Sequence, residues 1–221
     1  MLINAVLFDL DGTLADTARD LFEAVNLTLA AYAHPPLFHY PAFRETVAYG
    51  TRAMLAYAFH NDISHSVTDS TVETFLDYYQ QCLGQRTILF SGMNAVLDHL
   101  DSQAIPWGVV TSKLARFTLP LLEILELSQR TQCIVTGDAL PYLKPHPGPL
   151  LQGCQLLKRD PQYTLYVGDY IVDVKAARAA CMSSIIITNY YHHPDENPYE
   201  WDADHVVKDA DELLALLKLV Y

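Results

Sequence analysis

The chain has 221 residues, 51% hydrophobic and 18% charged, which excludes a disordered chain and allows a sizeable core. Fourteen basic against 26 acidic residues leave a net charge of −12, which argues against a nucleic-acid partner, because that would need a basic face. No apolar run approaches the ~20 residues of a membrane span, and Met1-Leu2-Ile3-Asn4 leads into an apolar run without a charged leader, so a cytoplasmic protein away from the membrane is expected.

The first predicted element is a strand over 5–8 that ends at Asp9 and Asp11, with Gly12 and Thr13 directly behind. Two carboxylates this close repel unless they share a cation or a proton, so the pair suits a hard cation and a nucleophile. The plain alternative is an acidic turn, since Asp and Gly are ordinary turn residues.

No convincing strand is predicted from 16 to about 87. Apolar residues recur there at helical spacing in Leu21-Phe22, Val25 and Leu29, then Met54-Leu55 and Ala58-Phe59, then Val72, Phe75-Leu76 and Tyr79. An all-helical insert over 16–87 is expected, leaving and re-entering beside the acids and so placed to act as a lid. Within it, Gly50-Thr51-Arg52 puts a flexible glycine just before a helical pattern. The planar fork of Arg52 suits a carboxylate or hydroxyl, though the residue reads equally well as an exposed helix arginine.

Strands follow over 107–111, 133–135, 164–167 and 184–188, alternating with helical patterns over 95–100, 118–127, 149–157 and 172–180. That alternation predicts a doubly wound α/β core with a parallel sheet, built from 1–15 and 88–221. The continuous apolar run Leu165-Tyr166-Val167 fits a sheet covered on both faces. A last amphipathic helix is expected over 209–219, with Asp209 or Asp211 as its cap. Cys82, Cys133, Cys154 and Cys181 form no CxxC pair and read mostly as reduced core residues, although an even number leaves disulfides open.

Three later segments end in polar residues: Thr111-Ser112-Lys113, then Lys144 before Pro145, then Gly168-Asp169 with Asp173 four residues on. In an open parallel sheet, ligands sit beyond the carboxyl ends of the strands, where Asp9, Asp11, Thr111, Lys144 and Asp169 would converge. Each has a plain reading alone: Thr111 as a helix cap, Lys144 as a surface lysine, Asp169 as a turn acid. His192-His193 with Asp195 does not read as a metal site, because adjacent histidines point apart.

Taken in this order, the residues resemble the haloacid dehalogenase-like superfamily, in particular its small-molecule phosphatases of the phosphoglycolate phosphatase group. Asp9-Leu10-Asp11-Gly12-Thr13 is similar to the first motif DxDGT, Thr111 to the second-motif hydroxyl, Lys144 to the third-motif lysine, and Gly168-Asp169 with Asp173 to the GDxxxD acids. The segment from His193 to Pro198, with Trp201 and Ala203-Asp204, resembles a branch that includes N-acetylmuramate 6-phosphate phosphatases. The resemblance implies a Mg²⁺-dependent phosphatase of a small phosphorylated metabolite, acting through an aspartyl-phosphate. Asp9 would be the nucleophile and Asp11 the general acid, then the base. Asp9, Asp169 and the Asp11 carbonyl would hold the metal, with Asp173 orienting its waters or the lysine. Thr111 and the Ser112 amide would hold phosphoryl oxygens, Gly12 and Thr13 would border them, and Lys144 would offset the negative charge. By the same resemblance the 16–87 insert is a cap whose Gly50, Thr51 and Arg52 reach the substrate. Ser112 departs from the pattern, since relatives often read Thr-Asn-Lys there. An amino-sugar or hexose phosphate, a phosphomutase and a non-catalytic binding module are the alternative readings, and a monomer and a homodimer are both open.

Overall fold

The computed structural model describes residues 3–59, 67–188, 191 and 195–220. The chain starts with strand β1 (Ala5–Phe8), whose four residues are all buried. A tight turn follows, then the two-residue strand β2 (Ala15–Asp16) and four helices: α1 (Ala18–Ala31), α2 (Tyr40–Arg44), α3 (Thr51–Ala58) and α4 (Asp69–Cys82). The chain returns through β3 (Ile88–Leu89), which pairs antiparallel with β2.

Alternation then sets in with α5 (Met93–Ser102), β4 (Trp107–Val110), α6 (Ala115–Ile124), β5 (Cys133–Val135) and α7 (Gly148–Leu157). It continues with β6 (Thr164–Gly168), α8 (Ile171–Ala179), β7 (Ser183–Ile187), β8 (His205–Val207) and α9 (Ala210–Val220). Six strands form one sheet in the order β5-β4-β1-β6-β7-β8, every pair parallel. The α/β doubly wound expectation is met, and β8 is an added edge strand.

Successive strand residues point to opposite faces, and both faces are covered. Val6, Phe8, Trp107 and Val167 pack on one side with residues of α5, α6 and α9. Ala5, Leu7, Val110 and Tyr166 pack on the other with residues of α7 and α8. The helices between β2 and β3 have a third cluster of their own, which takes in Phe90, Phe117 and Tyr191 from outside that stretch. The insert is therefore packed down on the sheet domain by aromatic side chains.

The two chain crossings are tied by hydrogen bonds. Buried Asp20, in the first turn of α1, accepts from the backbone N–H of Gly84 (2.9 Å), Arg86 (2.8 Å) and Thr87 (3.2 Å), and from Thr87 Oγ1 (2.6 Å). The Tyr191 hydroxyl accepts from the N–H groups of Thr17 (2.8 Å) and Ala18 (2.9 Å) and donates to Asp16 Oδ1 (2.8 Å). It satisfies donors that the start of α1 leaves without intrahelical partners. Cys82, Cys133 and Cys154 are buried and free, and Cys181 is exposed and free. Among the described residues no helix is long and apolar enough to cross a membrane.

Candidate active site

β1 lies between β4 and β6, so the carboxyl ends of these three strands stand side by side. Asp9 follows β1, Thr111 follows β4 and Asp169 follows β6. The Asp9 N–H donates to Val167 O at 2.9 Å, which fixes the acid against β6. Above these ends is a cavity of about 410 Å³, walled on the sheet side by Asp9, Asp11, Thr111, Ser112, Lys144 and Asp169. Opposite them are Val47, Met54, Val72, Phe75 and Leu76 of the insert.

Lys144 is the electrostatic centre. Its Nζ is 2.8 Å from Asp9 Oδ2 and 2.7 Å from Asp173 Oδ1, and donates to the Tyr166 hydroxyl at 2.9 Å. The three ammonium protons therefore all have acceptors. Burial alone would lower this lysine, but Asp173 and Asp9 beside it hold it well above the usual lysine range. Asp9 shows the opposite balance: burial pushes it up to about 6, against the pull of Lys144 and with the repulsion of Asp173 and Asp11. Asp169 is raised as well, first by burial and then by Asp173 and Asp9.

Asp9, Asp169 and Asp173 each offer an oxygen within 4.8 Å of the others, a group that could hold a metal ion. Two of them have other commitments. Asp173 Oδ2 accepts from the N–H groups of Asp169 (3.2 Å) and Tyr170 (3.0 Å) while its Oδ1 faces Lys144. Asp169 Oδ1 accepts from Thr13 Oγ1 at 3.2 Å, but its Oδ2 is buried with no hydrogen-bond partner among the described residues. A buried carboxylate oxygen without a donor is costly, and a cation would satisfy it.

Asp11 stands apart from that group. Its Oδ2 is 2.9 Å from Lys113 Nζ, and its Oδ1 accepts from Thr17 Oγ1 at 2.6 Å. Lys113 is buried, and although burial opposes its charge, Asp11 and Tyr79 shift it above the usual lysine range.

Several expected residues occupy other roles. Gly12 and Thr13 do not line the cavity; the Gly12 N–H donates to Ala15 O at 3.1 Å, and Thr13 anchors Asp169. Gly50 and Thr51 do line it, but Arg52 turns away, donating to Val67 O at 3.0 Å and pairing with Asp69. His192 and His193 lie outside the described residues. The partners missed in the sequence are Lys113, Tyr79, Thr17, Tyr166 and Tyr191. Lys113 had a signal, a lysine in an apolar setting directly after the Thr111-Ser112 strand end. The tyrosines had none beyond helical or strand apolarity. At another edge, Tyr49 of the insert meets Tyr170 edge-on at 5.2 Å, and Tyr170 meets Trp201 at 5.6 Å.

A parallel α/β sheet carrying acids and a hydroxyl at adjacent strand ends, with a lysine from a neighbouring loop between them, defines a hydrolase of the haloacid dehalogenase type. The match of residues 6–187 to the haloacid dehalogenase-like hydrolase model places it there: the chain belongs to that family. It is 35% identical to an N-acetylmuramic acid 6-phosphate phosphatase of Pseudomonas aeruginosa, over 98% of this chain and 96% of that protein. It is 37% identical to a phosphoglycolate phosphatase of Xylella fastidiosa, over 93% and 89%. A solved structure, that of a predicted phosphoglycolate phosphatase from Haemophilus somnus 129pt, has the same fold with a TM-score of 0.85 at 22% identity, over 98% of this chain and 99% of that one. With such relatives the chain is a phosphoric monoester hydrolase.

Proposed function

We propose that this chain hydrolyses a small phosphorylated metabolite through an aspartyl-phosphate on Asp9, with Mg²⁺ held by Asp9, Asp169 and the Asp11 carbonyl. The observation that carries the reading is the meeting of Asp9 and Asp169, at the ends of adjacent strands, with Lys144 from the loop before α7 and Asp173 of α8, on the floor of one cavity. The unpartnered Asp169 Oδ2 within the three-carboxylate group fits a hard, oxygen-seeking cation. Bound there, Mg²⁺ would supply the positive charge that lets an anionic nucleophile approach an anionic phosphate.

The chain's own residues carry the bond changes. Asp9 attacks phosphorus as the bond to the leaving oxygen breaks, and Asp11 gives that oxygen a proton. Asp11 then takes a proton from the water that attacks the phosphoryl group, which releases phosphate and regenerates Asp9. Thr111 and the Ser112 amide hold phosphoryl oxygens, while Lys144 offsets charge that gathers in transfer. Asp173 positions Lys144 and the Asp169 backbone. Residues 16–87 act as the cap, with Gly50 and Thr51 facing the leaving group; Arg52 joins them only by leaving Asp69.

Asp9→Asn keeps the size of the side chain and removes its anionic oxygen. Phosphate release is expected to fall to background in that variant while its circular dichroism stays that of the wild type. Ordinary turnover by the variant would remove the nucleophile assignment.

The cavity favours a second substrate reading beside phosphoglycolate. Its volume of about 410 Å³ and the apolar wall of Val47, Met54, Val72, Phe75 and Leu76 suit a bulky leaving group better than a two-carbon acid. An amino-sugar phosphate such as N-acetylmuramic acid 6-phosphate meets that description. Free phosphate measured with Mg²⁺ on both compounds decides between them, and also separates hydrolysis from transfer to a sugar.

A further inference from the structure

We propose that Lys113, braced by Tyr79 of the helical insert, is the positioning residue that aims the Asp11 carboxyl, so that the insert takes part in placing the acid. The proposal rests on the reading of Asp11 as the group that protonates the leaving oxygen.

The geometry builds outward from Asp11. Each of its oxygens is held by a different partner: Lys113 Nζ at 2.9 Å and Thr17 Oγ1 at 2.6 Å. Lys113 comes from the sheet domain, yet its ammonium lies 4.8 Å from the centre of the Tyr79 ring, on α4. That ring is fixed in turn: it stacks on Phe75 at 5.9 Å and lies tilted against Phe117 of α6 at 4.9 Å. The backbone of Lys113 is fixed too, since its carbonyl accepts from the Gly137 N–H at 2.8 Å and from Thr118 Oγ1 at 3.2 Å. Thr17 stands where the chain enters the insert, and its N–H is held by the Tyr191 hydroxyl. Both grips on Asp11 are therefore attached to the place where insert and sheet domain meet.

Electrostatics explains the need for such a grip. Asp9, Asp169 and Asp173 form a tight acidic group, and Lys144 is committed to Asp9 and Asp173. Asp11, two residues from Asp9, adds to that like charge and needs a cationic partner of its own. A second buried ammonium supplies it. The ring face of Tyr79 offsets part of the cost of burying that cation. Side-chain direction matters because a general acid acts only within hydrogen-bond reach of the oxygen that it protonates.

The leaving group makes the test. An alkoxide needs the proton of Asp11 to depart, whereas a nitrophenolate leaves without it. We would measure kcat/KM, which reports the steps through departure of the leaving group, for wild type, Lys113→Met, Lys113→Arg, Tyr79→Leu and Tyr79→Phe with MgCl₂. The aryl ester is p-nitrophenyl phosphate. The alkyl ester is whichever of phosphoglycolate, N-acetylglucosamine 6-phosphate and glucose 6-phosphate the wild type cleaves fastest. Because acid–base groups contribute roughly 10²–10⁴-fold, Lys113→Met is expected to lose roughly ten-fold or more on the alkyl ester relative to the aryl one. Tyr79→Leu should move the same way by less, and Lys113→Arg and Tyr79→Phe should recover most of the loss. Activity on the aryl ester serves as the check on folding. Equal losses on both esters, or none on either, overturn the proposal. A wild type that cleaves no alkyl ester overturns the underlying reading before any variant is compared.

Discussion

At Gly12, a missing side chain decides where an acid sits. Its φ is +80°, in the region that favours glycine, and a Cβ there would stand 2.2 Å from Asp169 Oδ2 and 2.8 Å from the Tyr191 ring. Gly12→Ala is expected to push Asp169 out of the acidic group. Phosphate release should fall by roughly 10²-fold, the scale of an ångström of misplacement at a reacting centre. Activity within a few-fold of wild type would show that Asp169 tolerates the shift. Asp9 and Asp169 were legible in the sequence because each ends an apolar strand run, so strand and site announce one another. Gly12 was legible only as a turn residue beside the expected substrate; its real neighbour, Asp169, is far away in the chain. Lys113 and Tyr191 share that difficulty. Their importance lies in contacts across the fold, such as Tyr191 to Thr17, 174 residues apart.

Among the elements, α1 and the segment that returns to β3 depend on one buried carboxylate. Asp20 receives four hydrogen bonds from residues 84–87, and no other side chain among the described hydrogen bonds serves those donors. Asp20→Ala would strand the buried Thr87 N–H and hydroxyl and free the partly buried N–H groups of Gly84 and Arg86, so urea unfolding is expected to show a loss of about 3 kcal/mol. A loss below about 0.5 kcal/mol would mean that the segment finds water or new partners without strain. An acid on the apolar face of a helix, between Ala18 and Leu21, was the available signal. The main strands were readable to within a residue or two at their ends. β2, β3 and β8 were not: two residues carry no measurable period, and β8 opens on a polar histidine with only two apolar residues behind it. The sequence places the start of the sixth helix at 118, but α6 begins at Ala115. Leu114 supplies no side-chain cap there; Asp138 does so from 23 residues away, accepting from the Ala115 N–H at 2.9 Å. Local reading has no access to such a cap. Asp209, by contrast, caps α9 locally, accepting from the N–H of Glu212 at 3.0 Å.

For the molecule as a whole, the acidic group ties stability to pH and, under the proposed function, to the ion. Burial raises Asp9 to about 6, so the folded chain binds a proton more tightly than the unfolded chain does. The sign follows from linkage: between the ordinary carboxylate range and about pH 6, this group's contribution to stability falls as pH rises. Above that window Asp9 carries its charge and, with Asp169 and Asp173, can hold a divalent ion, which stabilises whatever state binds it. MgCl₂ at about a hundred times its Kd is expected to raise Tm by roughly 5–10 °C near pH 7.5, and by much less near pH 5. The same increment at both pH values, or none at either, would contradict an ion site built on Asp9. The paired short strands β2 and β3 carry a consequence of another kind. The outgoing and returning chains run side by side, so the two ends of the excursion between them are already neighbours. Lengthening or trading that excursion adds little closure entropy and asks for no change of register in the parallel layer. A different set of helices can be hung in this doorway while the layer beneath keeps its strand order.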